Sequence, residues 1–228
     1  MTEPTYIFVH GAWHGAWCWR ELGREFDRRG VAWRAVDLPS AQPLGDASAS
    51  LVDDVAAVVA CATFDGPIVL VGHSYGGVVI TEAAPQIANL ERLCYIAALV
   101  PNLGQSTTDT SRTVNVRTRL DTAIEVEGAL LRLNPERVVD ALYQECSPDL
   151  QAWAAGQLSH QTLASFRSSR RAPKVDVPSR YVLCRHDHAL DPSLQERMAE
   201  RCDALFELAS DHSPHISHPI ECTAALLN

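Results

Sequence analysis

Five residues, Gly72-His73-Ser74-Tyr75-Gly76, constrain the fold of this chain more than any others. An apolar, β-branched run, Ile68-Val69-Leu70-Val71, leads into them, and Gly77-Val78-Val79-Ile80-Thr81-Glu82-Ala83-Ala84 leads out. A strand, a Gly-x-Ser-x-Gly turn and a helix in that order make an elbow so sharp that its serine takes a strained backbone conformation. Only residues without bulk fit two positions to either side, which accounts for Gly72 and Gly76. The turn lifts the Ser74 hydroxyl clear of the sheet. The helix behind it offers free N–H groups and a positive dipole end to a developing anion. Ser74 is therefore a candidate nucleophile.

The rest of the chain fits a sheet built around that elbow. Tyr6-Ile7-Phe8-Val9-His10, Val31 to Asp37, Arg92 to Val100, Arg180 to Cys184 and Ala204 to Leu208 read as further strands. They are continuous apolar runs and alternate with helix-like segments at Cys18 to Arg29, Leu51 onward after the capping Ser50, Pro192 to Cys202 and Pro219 to Leu227. Gln42 to Ala49 reads as a loop. This pattern predicts an α/β fold with about six parallel strands and helices on both faces. One stretch breaks the alternation. From Asn102 to Asp176 the expected pieces are helices, at Asp121 to Leu133, Pro135 to Cys146, Pro148 to Gln157 and Gln161 to Ser168. The reading is a core of residues 1–101 and 177–228 with a small helical lid, 102–176, inserted after the Tyr95 strand. An insertion there sits over the strand ends, where open parallel sheets bind ligands.

At 228 residues the chain is sized for one domain. Its net charge of −9 argues against nucleic-acid and anionic-membrane partners, which require basic patches. No run approaches the length of a membrane span, and Met1-Thr2-Glu3-Pro4-Thr5 has no basic leader character. Seven cysteines, Cys18, Cys61, Cys94, Cys146, Cys184, Cys202 and Cys222, show no Cys-x-x-Cys spacing and read as reduced thiols in a cytoplasmic protein. A homodimer is one assembly state open to such a chain.

A serine hydroxyl needs a base, and the base needs a group that fixes its tautomer. On this type of elbow the acid and then the histidine follow on loops after late strands. Arg185-His186-Asp187-His188 follows one late strand, and Ser210-Asp211-His212-Ser213-Pro214-His215 follows the other. The order predicts Asp187 as acid and His212 as base, with Asp191 and His215 as second choices. Asp211 adjoins His212 and is better placed to bond local backbone. Zinc on His212, His215 and His218 is the competing reading. Pro214 and Pro219 interrupt the helix such spacing needs, so no metal is expected.

Val9-His10-Gly11-Ala12-Trp13-His14-Gly15-Ala16-Trp17-Cys18-Trp19, the Gly72–Gly77 elbow, Cys184-Arg185-His186-Asp187 and Ser210-Asp211-His212 together resemble one subfamily of the α/β-hydrolases. It includes plant salicylate methylesterase, hydroxynitrile lyases and related bacterial esterases. The resemblance implies an α/β-hydrolase fold, no cofactor, and an oxyanion hole from the backbone N–H groups of Ala12 and Tyr75. Gly11 lets the backbone there approach closely. The resemblance also separates two branches. The lyases carry threonine and lysine where this chain has Gly11 and Ser213, which favours ester hydrolysis. The insertion carries no matching motif. Trp13, Trp153 and Phe166 are the candidate substrate contacts. His10, His14 and His73 are expected to support the site rather than react. The expected activity is a serine carboxylesterase acting on small to medium apolar esters. Lactone or amide hydrolysis of a natural product, a hydroxynitrile-lyase-type reaction and a receptor without turnover are the alternatives.

Overall fold

The computed structural model describes residues 3–41 and 47–228; most of the loop expected at Gln42 to Ala49, and the first two residues, lie outside them. In chain order the elements are β1 (Thr5–Val9), α1 (Arg20–Arg28), β2 (Trp33–Val36), α2 (Leu51–Cys61), β3 (Ile68–His73), α3 (Gly76–Ala83) and β4 (Leu90–Ile96). An insertion follows, with α4 (Thr107–Ser111), α5 (Arg119–Ala123), β5 (Ile124–Glu127), β6 (Leu130–Leu133), α6 (Val138–Leu142), α7 (Pro148–Gln157), β7 (Gln161–Thr162) and α8 (Leu163–Arg167). The chain then returns through β8 (Ser179–Cys184), α9 (Pro192–Ala199), β9 (Ala204–Leu208), α10 (Pro214–Ser217) and α11 (Pro219–Leu227).

Six parallel strands form the main sheet, in the order β2-β1-β3-β4-β8-β9. The side chains of β1 and β3 alternate between two apolar layers. Ile7, Val9 and Leu70 pack with Val55, Val78 and Leu194 from α2, α3 and α9. Tyr6, Phe8, Val69 and Val71 pack with Leu22, Phe26 and Leu226 from α1 and α11. Both faces are covered, which is why these strands read as unbroken apolar runs. β2 and β3 lie on opposite sides of β1, so strand growth reverses there. The reversal opens a crevice at the C-terminal ends of β1 and β3, the position where such sheets bind ligands. Ser50 starts α2 as expected, its backbone N–H donating to Asp53 Oδ2 at 2.8 Å.

The insertion is not all helix. Asp121 to Leu133, expected as one helix, is the end of α5 followed by a β5–β6 hairpin, to which β7 adds a third antiparallel strand. Ile124 and Val126 alternate with Glu125 and Glu127, a period of two. Gly128 then turns the chain with φ +59° in a two-residue loop. Glycine at the first loop position is the II′ pattern, whose twist matches that of paired strands. Among the described residues no helix is long and apolar enough to cross a membrane, and all seven cysteines are unbridged.

Candidate active site

Three non-glycine residues among those described have positive φ: Trp13 (+64°), Ser74 (+52°) and Ala97 (+40°). They follow β1, β3 and β4 at the same end of the sheet, the clustering expected where strained backbone serves a site. The Ser74 turn is tied on both sides. Its N–H donates to the Ile96 carbonyl, and its own carbonyl accepts from Gly77 and Leu99, all at 3.1 Å. A Cβ on Gly72 would sit 2.6 Å from the Gly76 oxygen; one on Gly76 would press on the Val9 carbonyl and lie 2.7 Å from that of His10. Gly76→Ala is therefore expected to cost roughly 3 kcal/mol of stability, since backbone rather than a flexible side chain must move. A urea midpoint unchanged from wild type would contradict this packing.

Asp187 and His212 meet although they belong to different loops, after β8 and β9. His212 Nδ1–H donates to Asp187 Oδ2 at 2.7 Å, and both side chains are buried. Asp187 is held by three further donors: the Ala189 and Leu190 N–H groups at 2.7 and 2.8 Å, and Gln195 Nε2 at 2.9 Å. With Nδ1 committed, Nε2 is the nitrogen left for proton exchange. His212 and Ser74 line one cavity of about 770 Å³. Ala12 and Tyr75 line it too, and among the described residues neither backbone N–H has a protein acceptor. The crevice thus gathers a hydroxyl on a strained turn, an oriented imidazole and two unspent donors. These are the parts needed to attack a carbonyl and hold the resulting oxyanion.

Four buried histidines, His10, His14, His73 and His215, are held as neutral groups. His10 Nδ1–H donates to the Gly11 carbonyl at 2.8 Å while Nε2 accepts the Leu38 N–H at 3.0 Å. His14 donates to the Ala12 carbonyl at 2.7 Å and accepts from the Tyr143 hydroxyl at 2.7 Å. Burial lowers the pKa of His10 to about 4 and that of His14 to about 3. His73 Nε2–H donates to the His212 carbonyl at 2.8 Å, bracing the base from behind. His215 lies between Trp19 and His73, ring centroids 4.6 and 4.5 Å away. Burial holds both well below the ordinary histidine value. His212, His215 and His218 do not converge: His218 turns to Ser217 and Glu145. Among the described residues no group of three or more His, Cys, Asp or Glu is placed to hold a metal.

Residues 6–225 match the profile of the alpha/beta hydrolase family. The chain belongs to that family. Methylesterase 18 of Arabidopsis thaliana is 30% identical over 261 residues, covering 100% of this chain and 97% of that protein. Pheophorbidase of Raphanus sativus is 31% identical over 245 residues, covering 97% and 92%. A pyrethroid hydrolase from Sphingobium faniae JZ-2 superposes with a TM-score of 0.87 at 20% identity, over 99% of this chain and 96% of that one. At that identity the likeness is one of fold.

Of the aromatic residues singled out in this hydrolase, Trp13 and Phe166 line the cavity, 5.8 Å apart between ring centroids. Trp153 does not. It packs edge-on to Trp17 and under the Arg20 guanidinium, because α7 leans on the start of α1 and turns that face away from Ser74. Asp191 caps α9 through the Ser193 N–H at 2.9 Å, and Asp211 accepts from the Ser213 and Glu145 N–H groups. Gln195, which fixes Asp187 and bridges to the Cys184 N–H at 2.9 Å, has no counterpart among the sequence expectations. A buried amide on a helix carries no motif. A smaller cavity, about 270 Å³, lies at the root of the insertion beside Tyr95, Arg170 and Arg201, without Ser74 or His212 in its walls.

Proposed function

We propose that this chain is a serine carboxylesterase that cleaves small to medium apolar esters through an acyl-enzyme on Ser74, with residues 102–176 serving as the lid over its cavity. The observation that carries the reading is the 2.7 Å bond from His212 to Asp187 beside the strained Ser74 elbow. A relative named as a methylesterase supports hydrolysis of esters. In this mechanism His212 Nε2 takes the Ser74 proton as Oγ attacks the ester carbonyl. Asp187 stabilises the imidazolium that forms. The Ala12 and Tyr75 N–H groups hold the oxyanion. His212 then protonates the leaving alcohol and activates the water that releases the acid.

Cavity shape supports the substrate class. Its walls include Trp13, Leu99, Leu131, Leu163, Phe166 and Leu190, while the charged Arg112, Asp121 and Arg167 are exposed, toward the mouth. An apolar wall beside Ser74 and His212 suits a ligand with a largely apolar body.

An acyl-enzyme makes a prediction independent of substrate identity. With methanol present, p-nitrophenyl and phenyl esters of the same acid are expected to give one common ratio of methyl ester to free acid, since both pass through the same intermediate. A ratio that depends on the leaving group would contradict the mechanism. Running matched lactones and amides in parallel ranks the carbonyl classes.

A further inference from the structure

Asp54, on α2, is fully buried, and among the described residues no cation is paired with it; its recorded partners are Ser40 and Tyr75. Burial raises its pKa, against the opposing pull of hydrogen bonds from Ser40 and Tyr75. A buried carboxyl without a cation is a costly thing to keep unless its hydrogen bonds do something. All of them lead to the active site. Oδ1 accepts the Ser40 N–H at 3.0 Å. Oδ2 accepts the Ser40 hydroxyl and the Tyr75 hydroxyl, each at 2.6 Å. Ser40 Oγ in turn accepts from Gln161 Nε2 at 2.7 Å, and Gln161 Oε1 accepts the Trp13 N–H at 3.3 Å. Gln161 belongs to the insertion and is itself fully buried. One connected network therefore touches both loops that flank Ser74: the elbow through Tyr75, and the turn after β1 through Trp13, the residue next to Ala12. The Tyr75 ring is also stacked on Phe166, with centroids 5.6 Å apart. Both ends of Tyr75 are thus fixed, its backbone at the elbow and its hydroxyl on Asp54.

We propose that Asp54 is the positioning residue of the oxyanion hole, setting the Tyr75 N–H through the Tyr75 hydroxyl and the Ala12 turn through Ser40 and Gln161, so that seating of the insertion completes the hole. The inference rests on reading the Ala12 and Tyr75 N–H groups as the oxyanion donors. A donor displaced by a fraction of an ångström loses most of its value in the transition state and little in the ground state. The signature of Asp54 is accordingly a change in kcat at nearly constant KM.

The test compares wild type with Tyr75→Phe, Asp54→Leu, Asp54→Asn and Gln161→Leu. Tyr75→Phe removes one oxygen atom and keeps the backbone donor. It remains informative if Asp54→Leu fails to fold. The readouts are kcat and KM for an aryl ester, and the Ki of a trifluoromethyl ketone, whose serine adduct carries an oxyanion. The three variants other than Asp54→Asn are expected to lose about one to two orders of magnitude in kcat with KM within about twofold. Ki is expected to rise in proportion to the loss in kcat/KM. Asp54→Asn, which keeps an acceptor, is expected to recover part of the loss. If kcat and Ki of Tyr75→Phe stay within about twofold of wild type, or KM carries the whole change, the positioning role is overturned. Failure of the underlying reading looks different: wild type itself would then form no adduct with the ketone.

Discussion

Replacing Ser74 with alanine is expected to lower kcat/KM for an aryl ester by about four orders of magnitude or more, because the proposed attacking atom is removed. The oxyanion donors and the cavity remain, so some rate above water should persist and substrate should still bind. Stability should change little, within about 1 kcal/mol, since only a hydroxyl at a cavity wall is lost. The backbone bonds that hold the turn, from Ser74 N–H to Ile96 and to the Ser74 carbonyl from Gly77 and Leu99, do not involve the side chain. Loss of activity with an unchanged urea midpoint thus separates chemistry from folding. Retention of more than about a tenth of the activity would remove Ser74 from the mechanism.

Acid is expected to unfold the chain early, and histidine rather than carboxylate is the cause. His10, His14, His73 and His215 are wholly buried, and burial is the leading reason each is lowered. The unfolded chain takes up protons on these rings near the ordinary value, about 6.5. The folded chain refuses them until about pH 4 at His10 and about pH 3 at His14. Stability is therefore intact above 6.5 and falls as the pH drops toward those folded values. At pH 5, His10 and His14 each remove about 2 kcal/mol, and His73 and His215 act in the same direction. Domains of this kind have about 5–15 kcal/mol in total. Asp54 and Asp211, raised by burial, act oppositely, since they gain protons in the folded state first. Their contribution is fully present only below the unfolded carboxylate range, so the histidines dominate between pH 6.5 and 5. Urea unfolding followed by tryptophan fluorescence at pH 8, 6 and 5 measures the slope. A stability independent of pH across that range would contradict the neutral histidine cluster.

What could be read from the sequence was what local pattern or chain order encodes. Apolar runs located the six strands; in the central β1, β3 and β8, burial on both faces removes any polar alternation, whereas the edge strands β2 and β9 stay partly exposed. Chain order after the last two strands points to Asp187 and His212 ahead of Asp191, Asp211 and His215, and the two side chains are bonded in the structure. The hairpin at Ile124 to Leu133 is masked by Leu130, Leu131 and Leu133, which also suit a helix; the Ile124 to Glu127 alternation and Gly128 are the local signals against one. Trp153 and Phe166 are both aromatic and both lie in the insertion, yet sequence does not say which helix face meets the cavity. Asp54, Gln161 and Gln195 were invisible for another reason. Their roles exist only through hydrogen bonds to residues 8 to 148 positions away in the chain.

Ser74 Oγ, activated by His212, is the atom proposed to react. An alkyl fluorophosphonate tests it directly, with the modified peptide identified by mass spectrometry. The expected result is one adduct per chain on the peptide containing Gly72-His73-Ser74-Tyr75-Gly76, formed in step with loss of esterase activity and absent from Ser74→Ala. An enzyme that hydrolyses esters while Ser74 stays unlabelled, or one whose activity is lost through an adduct elsewhere, would contradict it.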